Sequence, residues 1–187
     1  MATLKLNSYE LFSQSSNNKP IASTGMPSGM IVKIASVTKT DANWSYSQIG
    51  LSPVIDGLTP SITPLLGNKI YITGNINYGR SNYNTGYPLK LFRTIGTTTT
   101  EIGSGDIVGS NYSEGIACLG NITGTDRVNN VNISFMDSPN TDQQITYSLK
   151  VYSRETQTTR INTSANNTDN AYTTHTSSTL TLMEIAA

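Results

Sequence analysis

The 187-residue sequence predicts an all-β chain: an antiparallel jelly-roll or β-sandwich of eight to ten strands behind an extended N-terminal arm. Three observations lead there. Apolar residues alternate with polar ones over single strand lengths, the period of a strand with one buried face. Helix signals are nearly absent, since apolar residues rarely recur at three and four and good helix formers are sparse. Clusters of Gly, Pro, Asn and Asp recur at the spacing of short strands, where they supply positive φ, fixed φ and side-chain turn caps.

In chain order, residues 1–29 come first. The run SQSSNNK, Lys19-Pro20 and Gly25-Met26-Pro27-Ser28-Gly29 interrupt any long element, so this stretch is expected to be an arm that anchors the domain or contacts a neighbouring subunit, the alternative being a simple disordered leader. The opening MATLKLN reads as a natural start. The β-domain is expected over 30–187. Its first strand is MIVKIASVT (30–38), followed by candidates at Trp44–Gln48, Asn68–Thr73, Leu89–Ile95 and Gly115–Gly120. Val131, Ile133 and Phe135 mark the next, then Tyr147, Leu149 and Val151, and finally Leu180 and Leu182. Between them lie the turn segments GLTPSITPLLGN, GRSNYNTGYP, GSGD, GNITGTD and DSPNTD. Thr156–Ser178, nearly devoid of apolar residues, is expected to be a long exposed hairpin loop or a weak edge strand.

Composition narrows the function classes. Thr, Ser and Asn number 27, 22 and 19, whereas charged residues make up only 13% of the chain. The surface is therefore hydroxyl and amide rather than ionic. Net charge is zero and no basic run occurs, so the counterion release that drives nucleic-acid binding has no source. No stretch is long and apolar enough to span a bilayer, and the first twenty residues lack the apolar core of a signal peptide. Neither nucleic acid nor membrane insertion is expected. Near-zero net charge suits a component of an assembly better than a freely diffusing protein.

Catalytic and metal-binding patterns are weak. His175 is the sole histidine, in a Thr-rich stretch that would mount a general base poorly, and a surface position is expected. One His and one Cys cannot supply the usual zinc ligand set. Cys118 can form no intramolecular disulfide and is expected in the core, where free cysteines usually sit. Asp137-Ser-Pro-Asn140-Thr-Asp142 lacks the spacing and terminal Glu of a calcium loop and reads as a turn. Gly103, Gly105 and Gly109 have the wrong spacing for a nucleotide fingerprint. Six Asn-x-Ser/Thr sequons, at Asn43, Asn111, Asn121, Asn132, Asn162 and Asn166, are what so Asn-rich a composition produces by chance. No catalytic residue, metal or cofactor is expected; a carboxylate pair of the glycosidase kind, assembled from distant strands, is not visible in a sequence.

The tyrosines carry more. Tyr71, Tyr78, Tyr83 and Tyr87 fall close together with Arg80 and Asn75, Asn77, Asn82 and Asn84. Tyr with Asn is the composition of adaptable polar binding loops, and carbohydrate is the natural ligand. Tyr78, Arg80, Tyr83 and Tyr87 are the candidate surface contacts. The other reading places Tyr71 and Tyr78 inward as strand residues and the rest in an inter-subunit contact.

VNISFMDSPNTDQQITYSLKVYS (131–153), the polar stretch around INTSANN and the ending SSTLTLMEI (177–185) resemble a module of fibre-type and decoration proteins of tailed bacteriophages, notably those of marine cyanobacteria. The resemblance covers about 55 of the 187 residues well. It implies a trimeric jelly-roll head of the tumour-necrosis-factor-like type, with the last strand central and apolar on both faces. On that implication Leu180 and Leu182 face the core, and Met183 and Ile185 contact neighbouring subunits. The absence of shaft, coiled-coil or collagen-like repeats favours a capsid decoration protein, head fibre or short spike on the virion exterior, with other virion proteins as partners and host-surface polysaccharide as a further contact. The alternatives are a tail-fibre receptor-binding tip or a carbohydrate-binding β-sandwich module.

Overall fold

The computed structural model describes residues 3–6, 9–14, 20–22, 26–81, 86–106, 114–120, 124–168, 171 and 173–187. Every regular element among them is a strand. Within the expected arm, β1 (Thr3–Leu6), β2 (Tyr9–Gln14) and β3 (Pro20–Ala22) form a small antiparallel sheet in the order β1-β2-β3. The body begins with β4 (Ile31–Lys39), β5 (Ser45–Tyr46), β6 (Gly50–Leu51), β7 (Ser61–Ile62) and β8 (Lys69–Arg80). It continues with β9 (Tyr87–Ile95), β10 (Thr98–Ile102), β11 (Ala117–Leu119), β12 (Asn129–Asp137), β13 (Ile145–Ser153), β14 (Thr159–Ile161) and β15 (Ser178–Ile185).

These strands form two six-stranded antiparallel sheets. In the first, β15 lies between β4 and β8, and β12 takes the far edge of β8. Beyond the end of β15 the same edge of β8 pairs with β14, which in turn pairs with β5. In the second, β9 lies between β13 and the successive pieces β10 and β11, while β6 and β7 line the outer edge of β13. With the short pair β5 and β14 set aside, β6 and β7 sharing the second place and β10 and β11 the fifth, eight positions remain. The first pairs with the eighth, the second with the seventh, the third with the sixth and the fourth with the fifth: a long hairpin rolled up, which is the jelly-roll order. The expected all-β antiparallel sandwich is thus the observed fold. Strand fragments of two or three residues, such as β5, β6 and β14, raise the count above the expected eight to ten.

Alternation places the core. Ile70, Ile72 and Ile76 of β8, Leu180 and Leu182 of β15, Leu89 and Leu91 of β9, and Leu149 and Val151 of β13 are completely buried between the sheets. Each such side chain stabilises the fold by about 1.5–3 kcal/mol. Buried polar groups tie the layers where apolar ones are missing. Asp137 accepts hydrogen bonds from Arg93 Nη1 at 2.8 and 3.0 Å and from the Tyr147 hydroxyl at 2.8 Å. Burial first, and this bond second, push the Tyr147 phenol far above its ordinary range. Glu184, wholly buried at the end of β15, accepts 2.7 Å bonds from Leu65 N and Asn68 Nδ2 and has Lys33 Nζ 3.5 Å from its other oxygen.

The expectation of an exposed hairpin loop or weak edge strand over Thr156–Ser178 is corrected in its middle part, while Thr156, 166–168 and 174–175 are exposed. Ile161-Asn162-Thr163-Ser164-Ala165 is buried throughout, flush against β8. Gly79 makes the approach possible, since a Cβ there would sit 2.6 Å from Ala165 N and from Ser164 C. Asn162 and Thr163 tolerate this burial because their side-chain hydrogen bonds are made, Thr163 Oγ1 donating to Asn167 Oδ1 at 3.0 Å. Asn162, at φ 66°, donates from its backbone to Asn77 O at 2.9 Å and accepts from Thr176 N at 2.8 Å. Its side chain donates to Lys39 O at 2.7 Å and Asp41 O at 3.0 Å, and accepts from Ser178 Oγ at 2.6 Å. Cys118 is corrected too: it is exposed, because in the short strand β11 it is the fully buried Leu119 that points inward. His175 is exposed, with Nε2 3.1 Å from Asn167 Oδ1.

Candidate functional site

The core-facing side of the first sheet is closed by the second sheet, whereas among the described residues its outer side is open over β4, β15, β8 and β12. Ladder registers fix which residues share that outer face, because directly paired residues project to the same side. One row across the sheet is Ile34, Met183, Tyr71 and Met136. The next along the strands is Ser36, Thr181, Thr73 and Ser134, then Thr38, Thr179, Asn75 and Asn132, with Asn77 opposite Asn130 beyond. In the other direction Ile31 pairs with Ile185, and Ile185 with Lys69.

This face has a polarity gradient. At the chain-terminal end Ile31 is 50% exposed, Ile34 59% and Met136 45%, with Met183 and Ile185 half-buried beside them. A band of hydroxyls follows, joined by bonds between Ser36 and Thr181 (2.8 Å) and between Tyr71 and Ser134 (2.8 Å). The far end is amide. Asn75 Nδ2 donates to Asn132 Oδ1 at 3.0 Å, and Asn130 Nδ2 donates to Asn75 Oδ1 at 2.8 Å and Asn77 Oδ1 at 3.2 Å. The patch measures about 20 by 25 Å, or about 500 Å² in plan. Lys69 is the sole charged side chain in these rows. Loss of charge together with exposed Ile and Met distinguishes a contact surface from ordinary solvated sheet.

Met183 and Ile185 thus lie where the sequence places them, on the face opposite the buried Leu180 and Leu182. Ile31, Ile34 and Met136, which complete their patch, escape sequence reading; the signal was present in MIVKIASVT and NISFMD, where apolar residues also occupy positions of the non-core parity. The tyrosine cluster is rearranged. Tyr78, Arg80 and Tyr87 are 3%, 1% and 0% exposed, so they are not surface ligand contacts. Tyr78 and Tyr87 follow the inward parity of β8 and β9. Arg80 lies over the Tyr87 ring at 3.6 Å from its centroid and donates to Leu119 O at 3.1 Å. Burial raises the Tyr78 phenol above its ordinary value. Tyr83 lies outside the described residues, and Tyr71, which the second reading turned inward, is on the outer face.

Among the described residues no group of three His, Cys, Asp or Glu side chains could hold a metal ion, and no helix is long and apolar enough to cross a membrane. Comparison with known protein families finds no match, and comparison with curated proteins finds none.

Proposed function

We propose that this chain is a non-enzymatic structural protein of a tailed-bacteriophage virion, a homotrimer displayed on the capsid as a decoration protein or head fibre, or as a short spike. The observation that carries the assembly is the cluster of exposed Ile31 and Ile34 with half-buried Met183 and Ile185 beside them in the single chain, on a nearly charge-free sheet face. Three copies meeting around an axis cover these residues by a heterologous contact that closes on itself. The virion setting is supported by the likeness of residues 131–153 and 177–185 to phage fibre and decoration modules, and by the hydroxyl- and amide-rich surface.

Polarity along the domain fits this display. Gly29 and Met30 hydrogen-bond with Ala186, so residues 1–28 join the body at the end where β15 finishes. Attachment through that segment to other virion proteins leaves the loops at the opposite end, around Ser81, Thr125, Thr158 and Asn166, directed outward toward host-surface polysaccharide. Multivalency lets weak contacts there suffice. The test is immunogold labelling of purified phage particles with antibody against the chain. Label on the exterior of intact particles is expected; protein found in the infected-cell lysate with none on particles overturns the proposal.

A further inference from the structure

We propose that the amide end of the outer face is a binding site for neutral carbohydrate, centred on Asn75, Asn130 and Asn132 with the Tyr71 ring as its platform. This site is separate from the buried Tyr78, Arg80 and Tyr87, and it does not depend on the assembly reading. Three observations carry it. First, the amides are rigidly preset: Asn75 holds Asn132 and Asn130, and Asn77 donates to Asn75 Oδ1 at 3.3 Å, so little side-chain entropy remains to be lost on binding. Second, capacity is left over toward solvent. With those bonds made, both N–H groups of the exposed Asn132, one of Asn75 and the carbonyl oxygen of Asn130 carry no bond among the described residues. Free donors on Asn75 and Asn132 therefore face each other across neighbouring strands about 4.8 Å apart, and the free acceptor of Asn130 lies two residues along β12 from Asn132, spacings that the hydroxyls of one sugar can bridge.

Third, the Tyr71 ring leans toward the amides. Tyr71 is paired with Met136, yet its hydroxyl bonds Ser134, two residues nearer Asn132. A half-buried ring fixed by its own hydroxyl offers an apolar surface to the C–H face of a pyranose, while the amides meet its hydroxyls. Charge sets the ligand class. Lys69 is six residues from Asn75 on the same strand, about 20 Å away, and no ionised group lies in the rows between. An anionic or cationic ligand would lose its hydration without a counter-charge, whereas a neutral polyhydroxyl compound exchanges water hydrogen bonds for preset amide ones.

The experiment follows the side-chain NH₂ resonances of the full chain by ¹⁵N–¹H NMR during titration with the methyl glycosides of glucose, galactose, mannose and N-acetylglucosamine. Saturable shifts of the Asn75 and Asn132 amides with at least one sugar, in the millimolar range, are expected. Asn132→Ala and Tyr71→Ala should each weaken binding about tenfold while the remaining backbone spectrum stays unchanged. The proposal is overturned if none of the four sugars shifts these amides, or if the shifts persist in both variants. It is equally overturned if the same amides broaden with rising protein concentration in sugar-free buffer, which would show that a second copy covers them.

Discussion

Replacing Asn162 probes the least expected part of this fold. The side chain is fully buried and donates two hydrogen bonds, to Lys39 O and Asp41 O, while accepting one from Ser178 Oγ. Asn162→Gly keeps the left-handed φ of 66° but loses all three bonds and strands two carbonyls, costing about 3 kcal/mol at about 1 kcal/mol per bond. Asn162→Ala loses the same bonds and adds the left-handed strain of a Cβ, a further 1–2 kcal/mol or so. Asn162→Asp is nearly isosteric, yet it replaces both donors by oxygen and sets a carboxylate against two carbonyls, so about 4 kcal/mol or more is expected. Urea denaturation at one fixed protein concentration reads these differences, and melting points should fall by about 2–4 °C per kcal/mol. The reasoning is refuted if Asn162→Ala is as stable as Asn162→Gly, or if Asn162→Asp lies within about 1 kcal/mol of the parent, the value of one hydrogen bond.

The same buried segment predicts that Gly79→Ala costs about 3 kcal/mol or more, because the new Cβ meets backbone atoms of residues 163–165 that cannot rotate away; calorimetry showing an unchanged melting point would contradict this. Tyr147 predicts an alkaline effect. Its phenol is raised above the ordinary 10.0, so the folded state holds the proton more tightly, and the resulting stability is complete below about pH 10 and declines as pH rises beyond it. The stability advantage of the parent over Tyr147→Phe should accordingly be flat to about pH 10 and shrink above it, which chemical denaturation at a series of pH values measures. Cys118 should react with a bulky thiol reagent in the native protein, since it is exposed; reaction only in denaturant would restore it to the interior.

Much of the fold was legible because one-faced burial imprints period two. β12, β13 and β15 coincide closely with runs of alternating apolar residues, since each has one face on the core. β10 was illegible for the complementary reason. Thr98–Ile102 is four-fifths polar and pairs through a two-residue loop in which Gly96 takes φ 56°, so backbone bonding rather than side-chain burial makes the strand. β8 was recognised only over its first half, because beyond Gly74 its outward positions are Asn and its interior ones include Tyr78 and Arg80, which look like surface residues. Arg80 is buried by stacking on Tyr87 and bonding to Leu119 O, partners from other strands that no local pattern encodes. The segment 161–165 misled similarly: burial of Asn162 depends on carbonyls and a hydroxyl delivered by β4, β8 and β15.

Met183 and Ile185 were legible because an alternating Thr gives way to Met and Ile within one strand. Solution mass decides whether that switch marks a contact between copies of the chain. Light scattering of the full chain should give three times the 20.1 kDa chain mass. The double variant Ile34→Glu, Met183→Glu, placing charges directly opposite one another on the outer face, should return it to a folded species of single-chain mass. A parent that is monomeric at all accessible concentrations, or a trimer unaffected by the two glutamates, would contradict assembly through this face.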